Sequence, residues 1–128
     1  FRGPRLFATA IHYLLPGHEV SRFHRLKADE IWHFYAGSAL TLYVIDDSGT
    51  LLRWRLGADP EHGERFQISI LGGCWFGAIV DDPASYSLLG CTVAPGFEYE
   101  DFELGDRESL LAAYPEYRWI IEKLTVQG

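Results

Sequence analysis

The sequence predicts one all-β domain, a sandwich or barrel of short strands, finished by two short C-terminal helices. Three observations point there. Runs rich in aliphatic, β-branched and aromatic residues recur at short spacing, each bounded by Gly, Pro, Asp or Ser. Period-two alternation is clear in residues 50–57, where Leu52, Trp54 and Leu56 interleave with Arg53 and Arg55. The tail then switches to helical spacing with capping signals. With 128 residues the chain reads as a single domain spanning residues 1–128. That length buries roughly two-thirds of the unfolded surface.

The elements follow in order. LFATAIHYLL (6–15) reads as a strand stopped by Pro16-Gly17, and VSRFHRL (20–26) as a second. EIWHFYAG (30–37) and ALTLYVID (39–46) come next, and Asp47-Ser48-Gly49 has the chemistry of a hairpin turn. TLLRWRLG (50–57) returns from that turn, and the polar stretch ADPEHGE (58–64) reads as a loop. FQISIL (66–71), a Gly72-Gly73 turn, WFGAIV (75–80), the loop DDPAS (81–85) and YSLLGCTVAP (86–95) complete the β part. Asp106 suits the cap of a helix RESLLAAY, since its carboxylate can accept a free backbone N–H. Pro115 fits the first turn of a second helix, PEYRWIIEKL. In it Tyr117, Ile120, Ile121 and Leu124 fall on one face and should pack on the β body.

Composition narrows the function. A net charge of −7 and eleven scattered Lys and Arg residues exclude a phosphate-tracking nucleic-acid binder. No apolar run approaches the roughly 20 residues of a membrane span, so no membrane partner is expected. The start FRGPRLFATA lacks the form of a secretory signal, and a cytoplasmic location is expected. A chain with no Met that begins at Phe1 is expected to lack an N-terminal segment. Cys74 and Cys91 form no CxxC and no disulfide framework, and two buried thiols are expected. At 15% aromatics the chain suits a core, or a cavity lined with rings.

Several motifs together resemble a family. They are His24-Arg25-Leu26, Asp29-Glu30, the run Trp32-His33-Phe34-Tyr35, LGADPEHGERFQ (56–67), GGCWFGA (72–78), SLLGCTVAPGF (87–97) and DFELGDR (101–107). The chain resembles the cupins, and within them an uncharacterised small single-domain subfamily. The resemblance covers nearly the whole chain and implies a double-stranded β-helix, the cupin jelly roll, with an epimerase-like barrel. It also implies a ligand set that this sequence mostly lacks. His24 and Glu30 match the first cupin motif, but Leu26 stands where its second histidine belongs, and the interval from Gly17 to His24 is one residue too long. Leu71, Gly73 and Phe76 occupy the places of the second motif's Pro, Gly and His.

These residues frame the candidate site. On a strand Glu30, Trp32 and Phe34 share one face, with His24 and Leu26 expected on the partner strand across a short turn. One imidazole and one carboxylate beside aromatic walls make an apolar pocket with converging polar groups. His24 is the candidate base and Glu30 the carboxylate that assists its orientation, a pair suited to proton transfer near neutrality. Tyr13, Leu26, Trp32, Phe34, Gln67 and Phe76 are the candidate ligand contacts, and Ser69 alternates with Gln67 as a weaker one. A purely structural His–Glu hydrogen bond is the competing reading. No cofactor is expected, although a divalent metal at His24 and Glu30 stays open. A transition metal normally takes three or four protein donors; His12, His18 or His62 could supplement the pair, but nothing in their spacing requires it.

The sequence therefore reads as a small-molecule binder, with three functions in order. The first is metal-independent epimerisation or isomerisation of a sugar or keto-acid, as in metal-free cupin epimerases of nucleotide-linked keto-sugars. The second is ligand binding without catalysis, and the third a metal-dependent enzyme. A homodimer is expected, since small cupins commonly pair.

Overall fold

A computed structural model describes residues 4–126. The strands are β1 (Thr9–Pro16), β2 (Val20–Arg25), β3 (Asp29–Gly37), β4 (Leu40–Ile45), β5 (Leu51–Leu56), β6 (Glu64–Arg65), β7 (Gln67–Ile70), β8 (Trp75–Val80), β9 (Tyr86–Ala94) and β10 (Glu103–Leu104). Two helices, α1 (Arg107–Ala113) and α2 (Arg118–Ile121), close the chain. One sheet has the order β1-β9-β3-β7 and the other β10-β2-β8-β4-β5-β6. All ladders are antiparallel except the short β5–β6 pair. The result is a double-sheet jelly roll with two short helices, the architecture the sequence predicts. None of the described helices is long and apolar enough to cross a membrane.

Alternation fills the space between the sheets. Trp32, Leu40, Leu42, Val44, Leu56, Ile68, Ile70, Phe76, Ala78, Leu89 and Cys91 are buried there. A second cluster lies outside the six-stranded sheet, where Phe23 and Ile45 meet Leu110, Ile120, Ile121 and Leu124 of the helical tail. Ile120, Ile121 and Leu124 are the residues whose helical spacing marked a packing face, and the tail braces the sheet. The Asp106 carboxylate accepts from the Ser109 amide at 3.0 Å and caps α1 as expected. The β4–β5 hairpin is held by the Asp46 carboxylate, which accepts from the Ser48 and Thr50 amides at 3.0 and 2.9 Å. Gly49 supplies the φ of +81° that this turn needs.

Some boundaries differ. The first strand starts at Thr9 rather than residue 6, and the second predicted helix opens as a 3-10 turn, Pro115–Tyr117, before α2. The loop at 58–64 contains a further 3-10 turn, Pro60–His62. The two-residue strands β6 and β10 were not foreseen, because a pair of residues carries no periodicity. One expectation is overturned: β2 and β3 are not partner strands. They belong to opposite sheets, since the turn between them carries the chain across the sandwich instead of reversing it within one ladder.

Candidate functional site

The cavity between the sheets holds the candidate pair. It measures about 790 Å³ and is open to solvent, lined by Ile11 and Tyr13 of β1, His18 and Glu19 of the following turn, Val20, Ser21, Arg22 and His24 of β2, Glu30 and Trp32 of β3, and Cys91 of β9. Phe102 and Leu104 cover one side. A deeper lobe of about 330 Å³ is lined by Thr9, Leu26, Val93 and Phe97, and shares Ile11, His24, Glu30, Cys91 and Phe102 with the outer one. His24 and Glu30 thus stand at the waist between two lobes.

His24 is placed by a β-bulge. Ser21 pairs with Ala78 and His24 with Phe76, so Arg22 and Phe23 lie opposite Gly77 alone. The extra residue reverses the alternation, sending Phe23 outward to the helices while Ser21 and His24 both reach the cavity. The imidazole is held between the rings of Phe76, at 4.1 Å, and Phe102, at 5.4 Å between centroids. Its Nδ1 lies 2.7 Å from the Arg22 carbonyl. A carbonyl only accepts, so Nδ1 carries the proton and Nε2 is the free basic atom of the neutral ring. Burial lowers the His24 pKa from its ordinary value, only partly offset by the bond to Arg22, and favours that neutral form.

Glu30 is buried, and its Oε2 accepts from the Trp32 indole at 3.0 Å. The Cys91 thiol is also hydrogen-bonded to it. Burial raises the Glu30 pKa against the opposing pull of Trp32 and Cys91, and so favours the uncharged acid. Burial, and then the charge of Glu30, push the Cys91 thiol far up, so it is a hydrogen-bond donor and no nucleophile. Tyr13 bonds to Ser21 and sets its ring edge against Trp32 at 5.9 Å.

The structure brings His24, Glu30, Tyr13, Leu26 and Trp32 to one cavity. It separates the other expected contacts. Gln67 and Ser69 are exposed on the outer face of β7, while Ile68 and Ile70 point inward; the period-two pattern was legible, but its in-facing parity was misassigned. Phe76 is fully buried behind His24 and Trp32, so it positions them and does not line the cavity. Phe34 packs against the core rather than the cavity. The orienting role expected of Glu30 falls to the Arg22 carbonyl, since His24 and Glu30 occupy opposite sheets. Sequence reasoning missed Ser21, Arg22, Cys91 and Phe102. Cys91 was legible on its strand, but a bulge and a lone lid residue leave no periodic signal.

The remaining donors do not suit a cupin-type metal centre. Leu26 and Phe76 offer no donor atoms, His24 has committed Nδ1, and Glu30 is held by Trp32 and Cys91. Among the described residues no group of three or more His, Cys, Asp or Glu side chains is gathered as a metal would require.

The comparisons agree with this architecture. A family model described as Cupin superfamily (DUF985), Cupin_5, matches residues 1–105, so the chain belongs to the cupin superfamily. Within it the chain is a member of that DUF985 family. It is similar to protein SO0799 from Shewanella oneidensis, at 44% identity and a TM-score of 0.94 over 100% of this chain and 80% of that one. A hypothetical protein from Leishmania major shows 35% identity and a TM-score of 0.90 over 96% and 78% of the two chains. A dTDP sugar isomerase from Desulfovibrio desulfuricans shares the fold, at 14% identity and a TM-score of 0.66 over 79% and 66%. No curated protein matches the chain.

Proposed function

We propose that the protein binds a small polar carbonyl compound in this cavity and isomerises or epimerises it without metal, His24 Nε2 taking the proton and Glu30 in its acid form donating one. The observation that carries the reading is an imidazole whose Nδ1 is fixed by a backbone carbonyl, facing the same cavity as a buried carboxyl. A base and an acid placed on opposite walls can act on the two ends of one enolising group. The isomerase likeness supports the fold of this reading and nothing finer. Two free buried thiols, Cys74 and Cys91, suit a reducing compartment such as the cytoplasm.

The test is proton exchange. A substrate incubated with the protein in D2O should exchange the hydrogen on the carbon beside its carbonyl, read by NMR. His24→Asn should slow that exchange by about 10²- to 10⁴-fold with the melting temperature little changed. Ligand binding without any exchange would leave a non-catalytic binding cupin.

The assembly reading is a homodimer through the outer face of the β1-β9-β3-β7 sheet. In its middle the outward side chains are His12, Leu14, Ile31, His33, Tyr35, Leu88 and Thr92, and none is Asp, Glu, Lys or Arg. Leu14 and Tyr35 are 57% and 54% exposed. A charge-free patch on a chain of net charge −7 is suited to meeting a second copy, which brings the same neutral face. Sedimentation at micromolar concentration should show a dimer, and Leu14→Lys a monomer; a wild-type monomer refutes the assignment.

A further inference from the structure

We infer that the substrate is a short 2-oxo acid with an apolar side chain: its carboxylate at Arg22, its carbonyl and neighbouring carbon at the His24–Glu30 waist, its side chain in the inner lobe. This rests on the reading of His24 as a base and adds the substrate class.

The two lobes differ in chemistry. The inner one is walled by Ile11, Leu26, Val93, Phe97 and Phe102. Thr9 is the one hydroxyl there, and it already accepts from the Phe97 amide at 2.9 Å. A sugar carrying several hydroxyls past the waist would give up water and find at most the Thr9 hydroxyl as a partner, whereas a hydrocarbon group gains by burial. The outer lobe carries the Tyr13–Ser21 hydrogen bond and Arg22. Among the described residues no ion pair engages Arg22; Glu19 lines the same lobe, with His18 Nε2 3.9 Å from its carboxylate, and leaves the guanidinium unpaired. A free guanidinium beside a phenol and a hydroxyl recognises a carboxylate by paired, charge-assisted hydrogen bonds.

The step balances. His24 Nε2 removes a proton from the carbon beside the carbonyl. That C–H electron pair becomes the C=C bond of an enol, and the carbonyl π pair takes the proton of Glu30. The protonated His24 returns its proton to the carbon while the enol O–H gives its proton back to the Glu30 carboxylate, which regenerates the 2-oxo acid and resets both residues; where that carbon is a stereocentre, return to the other face of a turned enol inverts it. No oxidant or second substrate is needed.

The test uses the full chain and three probes of known structure: pyruvate, 4-methyl-2-oxopentanoate and fructose. Titration calorimetry should show the branched acid binding at least roughly tenfold more tightly than pyruvate, because its extra carbons enter the inner lobe. Fructose should bind more weakly than either. Arg22→Gln should weaken both acids by about tenfold. Val93→Trp, which fills the lobe, should remove the advantage of the branched acid over pyruvate. The wild-type probe series decides the matter even if that variant fails to fold. Equal affinities for the two acids, tighter fructose binding, or no binding of any probe overturns the inference. Graded binding of the acids with no exchange at their carbon in D2O supports the ligand class and overturns the isomerase reading instead.

Discussion

Gly77→Val is expected to lower stability by about 3 kcal/mol, a fall of roughly 10 °C in melting temperature, and to move His24 out of register with the cavity. The reason lies in the spacing of two residues. Ser21 and His24 are three apart, so on a regular strand they would face opposite ways, yet both line the cavity. The bulge opposite Gly77 makes this consistent, and it leaves room for nothing larger than hydrogen. A Cβ there would stand 2.7 Å from the Ser21 carbonyl oxygen, 2.9 Å from Leu124 Cδ1 and 3.2 Å from the Phe23 amide nitrogen.

The distorted backbone is then tied down from outside the barrel. The Phe23 amide donates to the Leu124 carbonyl, and the Phe23 carbonyl accepts from the Gly105 amide, each at 2.8 Å. The helical tail, remote from the cavity, therefore fixes the strand that carries the candidate base. Valine at position 77 strikes both the bulge and its anchor. Thermal melting measures the loss, and NMR titration of the His24 ring reports its changed surroundings. A Gly77→Val protein melting within about 2 °C of wild type, with an unchanged His24 resonance, would show that the bulge does not need glycine.

This bulge also marks where the sequence stops being legible. The order of the β runs, the Asp47-Ser48-Gly49 turn, the Asp106 cap and the apolar face of the tail are local facts, each written within a few residues, and each is found in the fold. Glu30 and Trp32 were readable too, because β3 keeps its alternation through that stretch. His24 was reached through its motif position, since period-two reading from Ser21 would have turned it outward. Arg22 and Phe102 enter the site through a bulge and through a return of the chain to β2 as β10, and both depend on pairing between distant segments. Gln67 shows the opposite failure: a clean alternation with the wrong face chosen, because FQISIL alone does not say which side meets the core.

The second large effect is a pair of opposite pH dependences. Glu30 has its folded pKa raised above the ordinary 4.5, chiefly by burial. Between that value and the folded one, the native state holds the proton more firmly than the unfolded chain does. Stability is then lost as pH rises above 4.5 through the folded pKa, by up to about 1.4 kcal/mol per pH unit within the window. Glu30→Gln keeps an acceptor for the Trp32 indole but cannot ionise, so its melting temperature should gain on wild type as pH rises. His24 is displaced the other way, its folded pKa lowered from 6.5 by burial. Below 6.5 the unfolded chain binds the proton that the native ring refuses, so stability is lost as pH falls through the folded pKa. His24→Asn should therefore track wild type at a constant offset above 6.5 and gain on it below. Melting curves of the three proteins from pH 4 to pH 9 separate the two effects, because one difference opens with alkali and the other with acid. Parallel curves for wild type and Glu30→Gln would mean that Glu30 titrates as it does in water. The acid it contributes to proton transfer would then be absent at neutral pH, and the cavity would keep a base without its partner.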